Sequence, residues 1–493
     1  MTLSKSQYIR GLQCHKSLWL YKHNPELREV DSQSESLFNT GYQVGDLAKE
    51  LFAGGVEIEF DSQNFDSMIQ KTKELIANGT EVIYEAAFKE DGIFAMADIL
   101  VKNGDGWDIY EVKASTGVKE YHINDTAIQW HALSRAIKLN HAYVVHINNS
   151  YIRYGNLDIK ELFAIEDITD IVLERQEEIP SNLIEMEEML QGNIPDIDIG
   201  GHCSSPHGCD FWGHCWKHIS NPSVFNLYRM RGSKKFELYY KGIVSYDDVI
   251  EKSISLNKTQ RLQVQSYKDG NLTVDKPIIK EFLDTIEYPI NFFDFETFQN
   301  AIPRFDNQRP YAQMPFQYSL HILHEDGTLK HKEFLGDENS DPRLSLIKQM
   351  LEDITPTGSI VAYNQSFEIG RIEDLANYAP LYEKELLALN ERFVDLIVPF
   401  RKKGYYHPDF NGSFSIKAVL PAMFPNDDEL DYKKLRSIQN GGDAMDTFAN
   451  LHLLKDKSKL DDVKKDLLAY CRLDTLAMVR IWEKLREIVE EEK

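Results

Sequence analysis

Cysteine is too sparse to hold this chain together: five thiols are spread through 493 residues, which excludes a disulfide-stapled secreted scaffold. Long apolar runs are missing as well; no stretch of about 18 apolar residues occurs, which excludes a membrane-spanning helix. The opening residues, MTLSKSQYIRGLQCHKSLWL, have neither the apolar core nor the small-residue cleavage site of a signal peptide, so a cytoplasmic location is expected. Positive charge is in deficit, with 55 basic against 79 acidic residues and a net charge of -24. That excludes tight, non-specific coating of a nucleic acid duplex, which rests on counterion release by lysine and arginine. It is compatible with a basic groove confined to a site, and with carboxylates that bound cations neutralise. A G-x-x-x-x-G-K-S/T phosphate loop is also absent, so any helicase motor is expected from a partner.

What is present is ordinary globular composition, 42% apolar and 27% charged, in a chain too long for one core. The periodicities predict a mixed α/β protein. Helices are expected over 4–25 and 34–52, then three strand-like runs (EVIYEAAF, GIFAMADILV, DIYEVKAS), a helix over 125–139 and a strand, HAYVVHIN. A first domain over 1–220 ends in a Gly-, Pro-, Cys- and His-rich loop. A helical connector covers 221–286. A second domain, 287–493, opens with the strands PINFFDFET, PFQYSLHIL and KHKEFLG and becomes mostly helical, with EIVEEEK as a frayed end.

In the first domain, Glu111 and Lys113 are two apart on one strand, so they project from one face, and a short turn brings Asp98 alongside them. Two carboxylates at the end of an apolar sheet are costly unless a cation neutralises them. Mg²⁺ or Mn²⁺ fits that need, with Lys113 left to orient water or stabilise a phosphate. Glu85, on the preceding strand, is a weaker candidate.

Cys203, Cys209 and Cys215 follow a C-x5-C-x5-C spacing, with Cys14 far upstream. A loop without a core of its own needs a staple, and four thiolates suit a 4Fe-4S cluster. His202, His207, His214 and His218 are interspersed, so a Cys3His zinc site is the alternative. Cys471 is expected to be an ordinary buried thiol.

In the second domain, NFFDFET sets Asp294 and Glu296 on one face of a strand whose other face takes Phe293 and Phe295. Like charges side by side on a buried strand raise each other's pKa, so something positive must lie between them. Asn364 and Glu368 stand where a strand runs into a helix, Asp395 ends another apolar stretch, and Tyr470 and Asp474 share a helix face.

These motifs carry two resemblances. Asp98, Glu111 and Lys113, in this order of elements, resemble the iron-sulfur RecB- and AddB-like PD-(D/E)XK nucleases, whose core is restriction-endonuclease-like. That resemblance implies an active-site glutamine at Gln129 and a cluster on Cys14, Cys203, Cys209 and Cys215 that staples the domain's ends. The family's Q-x-x-x-Y is not intact, because Leu133 replaces the tyrosine. Asp294, Glu296, Tyr470 and Asp474 resemble the tyrosine-bearing DEDD 3′-to-5′ exonucleases, which are RNase H-like. There Asp294, Glu296, Glu368 and Asp474 would hold two Mg²⁺ ions, and Tyr470 would orient the water. Glu368 replaces the family's aspartate, and Lys417 is a candidate phosphate contact. Together they imply a metal-dependent DNA nuclease of repair, recombination or defence, similar to a bacterial family that fuses the two domains. An RNA-processing exonuclease and a nucleic-acid-binding scaffold without activity are the alternatives.

Overall fold

The computed structural model describes residues 2–29 and 32–491. The chain folds as two compact units, Met1–His218 with Asn300–Tyr311, and Ile219–Gln299 with Ala312–Lys493. Both are mixed α/β. The connector helices, from Gly232–Tyr240 to Lys276–Leu283, belong to the second unit. Among the described residues no helix is long and apolar enough to cross a membrane.

The first unit is built on a mixed sheet. Val82–Glu90, Ile93–Asn103 and Gly106–Lys113 form an antiparallel meander, and the helix Glu120–Leu133 crosses over to Leu139–Ile147, parallel to Gly106–Lys113. The crossover helix starts and ends earlier than 125–139. Phe163–Asp167, which the sequence pattern did not reveal, pairs with Leu139–Ile147. The N-terminal helical region is two helices, Lys5–Gln13 and His15–His23, because Cys14 takes an extended conformation (φ -164°, ψ 115°) between them.

Two of those strands separate where the site lies. The ladder between Ile93–Asn103 and Gly106–Lys113 stops at Ile99 opposite Tyr110. Beyond it, Leu3 and Ser4 pair with Ile93 and Phe94 instead. Ser4 then caps the first helix, its hydroxyl accepting from the Gln7 N–H while the Gln7 side chain accepts from the Ser4 N–H. The cap delivers Lys5 to the opened end of the sheet.

In the second unit Ile290–Phe298 is the central strand, antiparallel to Met314–Leu323 and parallel to Ile360–Ala362. Its alternation divides the core. Phe293 and Phe295 pack with Tyr318, Leu346 and Met350; Ile290 and Phe292 pack with Leu473, Ala477 and Trp482 of the long helix Lys457–Glu490. Asp294 and Glu296 continue the face of Ile290 and Phe292. The residues across the ladder from Glu296, Asp294 and Phe292 pin that helix. Gln317 donates to the Leu467 carbonyl at 2.8 Å, while Ser319 and His321 meet the Thr475 hydroxyl at 2.7 and 2.8 Å.

Gly358 precedes the strand Ile360–Ala362 at φ +84°, and a Cβ there would lie 2.1 Å from the Pro289 carbonyl oxygen. Backbone cannot yield as a side chain can. Gly358→Ala is therefore expected to cost at least about 2 kcal/mol, from left-handed strain plus a backbone clash. An unchanged urea midpoint would contradict that close approach.

Candidate functional site

The two-residue alternation that buries Phe293 and Phe295 delivers Asp294 and Glu296 to the long helix, which meets them with Tyr470, Cys471 and Asp474. Glu296 and Asp474 are each 8% exposed, and Glu368, in the first turn of the helix Ser366–Tyr378, is 3% exposed. Burial, with Asp474, Glu368 and Glu296 around it, holds the Asp294 carboxyl well above the carboxylate range. Burial and Asp474 do the same to Glu296, against the opposing pull of Lys417. Burial takes Glu368 to about 8, with Asp395 adding to the effect. Asp474 rises only to about 6. Burial raises it, but Tyr432 donates to its Oδ1 at 2.5 Å, and Lys417 and Tyr470 also favour the anion. One Glu368 oxygen, Oε2, is buried without a hydrogen-bond partner.

This is a site short of positive charge. The Lys417 ammonium lies over the Tyr432 and Tyr470 rings, at 5.7 and 5.9 Å from their centroids. Asp294, Glu296 and Cys471 present ligand atoms all within 4.8 Å of one another, the one such group among the described residues. Cys471 is buried as expected, yet it is no ordinary packing thiol: its Sγ lies 3.9 Å from Asp294 Oδ2. Asp395 takes a supporting part, its Oδ1 accepting from the Asn364 and Ile397 N–H groups. The backbone at Gly441 walls the site, since a Cβ there would lie 3.8 Å from Glu296 Oε2.

The first unit brings Asp98, Glu111, Lys113 and Gln129 together, and balances its charge differently. Glu111 Oε1 accepts from Lys113 at 2.6 Å and from Lys5 at 2.7 Å, and its Oε2 accepts from Gln129 at 2.5 Å. Lys113 also bonds Asp125. Burial acts to raise the Glu111 pKa, but Lys113 and Lys5 outweigh it and hold the carboxyl well below its ordinary value. Asp98, where the ladder opens, accepts from the Val112 N–H at 2.7 Å. Burial and Glu111 push it up to about 7. Glu85 stands beside it in a left-handed conformation (φ 57°), raised to about 8 by burial and by Asp98. Gln129 is fully buried, and its Oε1 has no partner. Leu133 is core rather than site.

Cys14, Cys203, Cys209 and Cys215 are free thiols that line one pocket, with Lys16, Trp212 and Trp216 among its walls. The extended break at Cys14 brings the distant thiol there. The Gly200 N–H donates to Cys203 Sγ at 3.4 Å. Of the four nearby histidines His202 lines the pocket, whereas His207 packs edge-on against Tyr121.

Residues 291–415 match a family model described as a domain of unknown function (DUF2779). The match includes Asp294, Glu296, Glu368 and Asp395 and stops short of Tyr470 and Asp474. Uncharacterized protein UU173 of Ureaplasma parvum serovar 3 is 28% identical over 253 residues, 46% of this chain and 35% of that protein. Uncharacterized protein MG366 of Mycoplasma genitalium is 25% identical over 217 residues, 40% of this chain and 32% of that protein. The matched stretches thus span about a third of those relatives' own length. Among solved structures, the crystal structure of SSO0001 is similar at 15% identity with a TM-score of 0.19, over 44% of this chain and 87% of that one.

Sequence reading missed Lys5, Asp125 and Tyr432. Lys5 is 106 positions from Glu111, and no local spacing signals such a pairing. Tyr432 lies in a short turn, Tyr432–Lys434, with no period to mark it.

The raised carboxyls have a thermodynamic consequence. Their folded pKa values exceed the ordinary ones, so the stability they contribute is complete at low pH and is lost as pH rises through about 6 to 8. In chelator the melting temperature is expected to fall between about pH 5.5 and 8, and added Mg²⁺ or Mn²⁺ to raise it more at the higher pH. An equal metal-induced rise at both pH values would show that ions do not engage these groups.

Proposed function

We propose that this chain is a divalent-metal-dependent nuclease, with a DEDD-type exonuclease site in its second unit and a PD-(D/E)XK-type site in its first, acting on DNA in preference to RNA. The carrying observation is the desolvated meeting of Asp294, Glu296, Glu368 and Asp474, drawn from three elements, with one carboxylate oxygen unpartnered. Structural carboxylates are buried with their hydrogen bonds satisfied or opposite a cation; these face one another. Bound Mg²⁺ or Mn²⁺ supplies the positive charge that lets such a site accept a phosphodiester and lower the pKa of a water nucleophile. Glu368 acts electrostatically on both Asp294 and Glu296, and despite its longer side chain it would join them around the ions. Tyr470, buried beside Asp474, would orient a water through its hydroxyl. Lys417, whose ammonium lies over the Tyr470 ring, would meet a phosphate oxygen.

In the first unit, Asp98 and Glu111 would hold the ion, Gln129 would fix Glu111 through its amide N–H, and Lys113 would stabilise charge on the phosphate. Lys5 and Lys113 share Glu111 Oε1, so the ion competes with Lys5 for that oxygen. The second-unit site, whose carboxyls stay raised against the pull of Lys417, would be the stronger of the two.

The test uses labelled single- and double-stranded DNA and RNA with Mn²⁺, comparing wild type with Asp98→Ala, Asp294→Ala and the double variant. Asp294→Ala should lower cleavage by roughly a hundredfold or more, as losing a metal ligand or charge-stabilising group does. The double variant should be inert. Identical behaviour of all four proteins would end the catalytic proposal, and RNA cleaved in preference to DNA would reassign the substrate.

The four thiols of the first unit suit a 4Fe-4S cluster held by Cys14, Cys203, Cys209 and Cys215, as the donor set and the N–H···S contact to Cys203 support. Freshly purified protein is then expected to show broad visible absorption that Cys203→Ser abolishes together with thermal stability. Colourless protein carrying stoichiometric zinc would transfer the site to the Cys3His alternative with His202.

A further inference from the structure

The last turn before Asp474 holds a side chain that a purely oxygen-based metal site does not require. Cys471 is fully buried, and its thiol faces both the Asp294 carbonyl oxygen and Asp294 Oδ2, at 3.8 and 3.9 Å. Those are long contacts, weak as hydrogen bonds. A thiol that only fills space sits among apolar neighbours, whereas this one lies three residues from Asp474 on the same helix face, and its Sγ lies within 4.8 Å of a Glu296 carboxylate oxygen. A second observation points to a missing ligand beside the same two carboxyls, Asp294 and Glu296. Glu368 Oε2 is buried and unpartnered, and Glu368 acts on both Asp294 and Glu296.

We infer that Cys471 supplies a sulfur ligand to this site, so that one ion position, formed with Asp294 and Glu296, favours a sulfur-accepting divalent ion of the Zn²⁺ or Cd²⁺ kind over Mg²⁺. This rests on the metal-site reading of the second unit and deepens it. Carboxylates alone suit Mg²⁺ and Mn²⁺; one thiolate shifts the preference toward softer ions, because a polarisable sulfur gains more from them. On binding, the Cys471 S–H gives its proton to solvent and the thiolate pair coordinates the ion. No electron is transferred. Tyr470 and Asp474 remain on the same face for the second position.

The test needs no turnover. The full chain, wild type and Cys471→Ser, is titrated with Cd²⁺, and the sulfur-to-cadmium charge-transfer absorption is compared. The thiols of the first unit contribute equally to both and cancel in the difference. A difference band from one thiolate is expected, and it should vanish in Asp294→Asn, which retains Cys471 and the shape of the site. Calorimetry should show Zn²⁺ affinity falling on the order of tenfold or more in Cys471→Ser, with Mg²⁺ affinity unchanged. If ions bind wild type in a way that depends on Asp294 but the Zn²⁺-to-Mg²⁺ preference is the same in Cys471→Ser, the sulfur ligand is refuted and the metal site stands. If no binding depends on Asp294, the metal-site reading and this inference fall together.

Discussion

Mutual repulsion among desolvated carboxylates is the constraint on which the second unit turns. Two unit charges about 4 Å apart repel by roughly 4 kcal/mol at an effective dielectric constant of about 20, and Asp294 interacts unfavourably with three carboxylates. The net stability of a domain is only about 5–15 kcal/mol. Such a cluster persists because the scaffold around it leaves no escape. Phe293 and Phe295 are locked into the opposite face of the strand, and the polar row Gln317, Ser319 and His321 fastens the helix that carries Asp474. Protonation relieves the repulsion, which is why burial and mutual proximity raise these carboxyls.

The first unit meets the same problem with ammonium groups. Lys5 and Lys113 flank Glu111 and keep it ionised, while Asp98 retains its proton to about neutrality. One cluster has two ammonium groups bonded to its central carboxylate, whereas the other has Lys417 acting at a distance. That difference ranks the two sites as places for a cation, even though both gather acidic side chains at the end of a sheet.

A sheet irregularity adjoins each site. In the first unit the hairpin ladder ends at Ile99 and Tyr110, which frees Asp98 to accept from the Val112 N–H. In the second, the register slips between Pro315 and Gln317, opposite Thr297 and Glu296. Bulges and opened ladders re-aim side chains that regular pairing would hold in line. Proline at the slip fits, because it has no N–H to give to a ladder.

The local chemistry of the sequence determined which residues share a face: Asp294 with Glu296 by strand alternation, Tyr470 with Asp474 by one helical turn, Glu111 with Lys113 across one residue. The mixed α/β class and most central strands were legible for the same reason, since period and turn signals are short-range. Tertiary structure alone decided the company those residues keep. It brought Lys5 to Glu111, Tyr432 to Asp474, Cys471 to Asp294 and Cys14 to the other three thiols. It also broke the first helix at Cys14 and started the crossover helix at Glu120 rather than 125. Periodicity records which way a side chain points from its own element, whereas a site depends on which elements meet, and that is settled by burial and pairing between segments far apart in the chain.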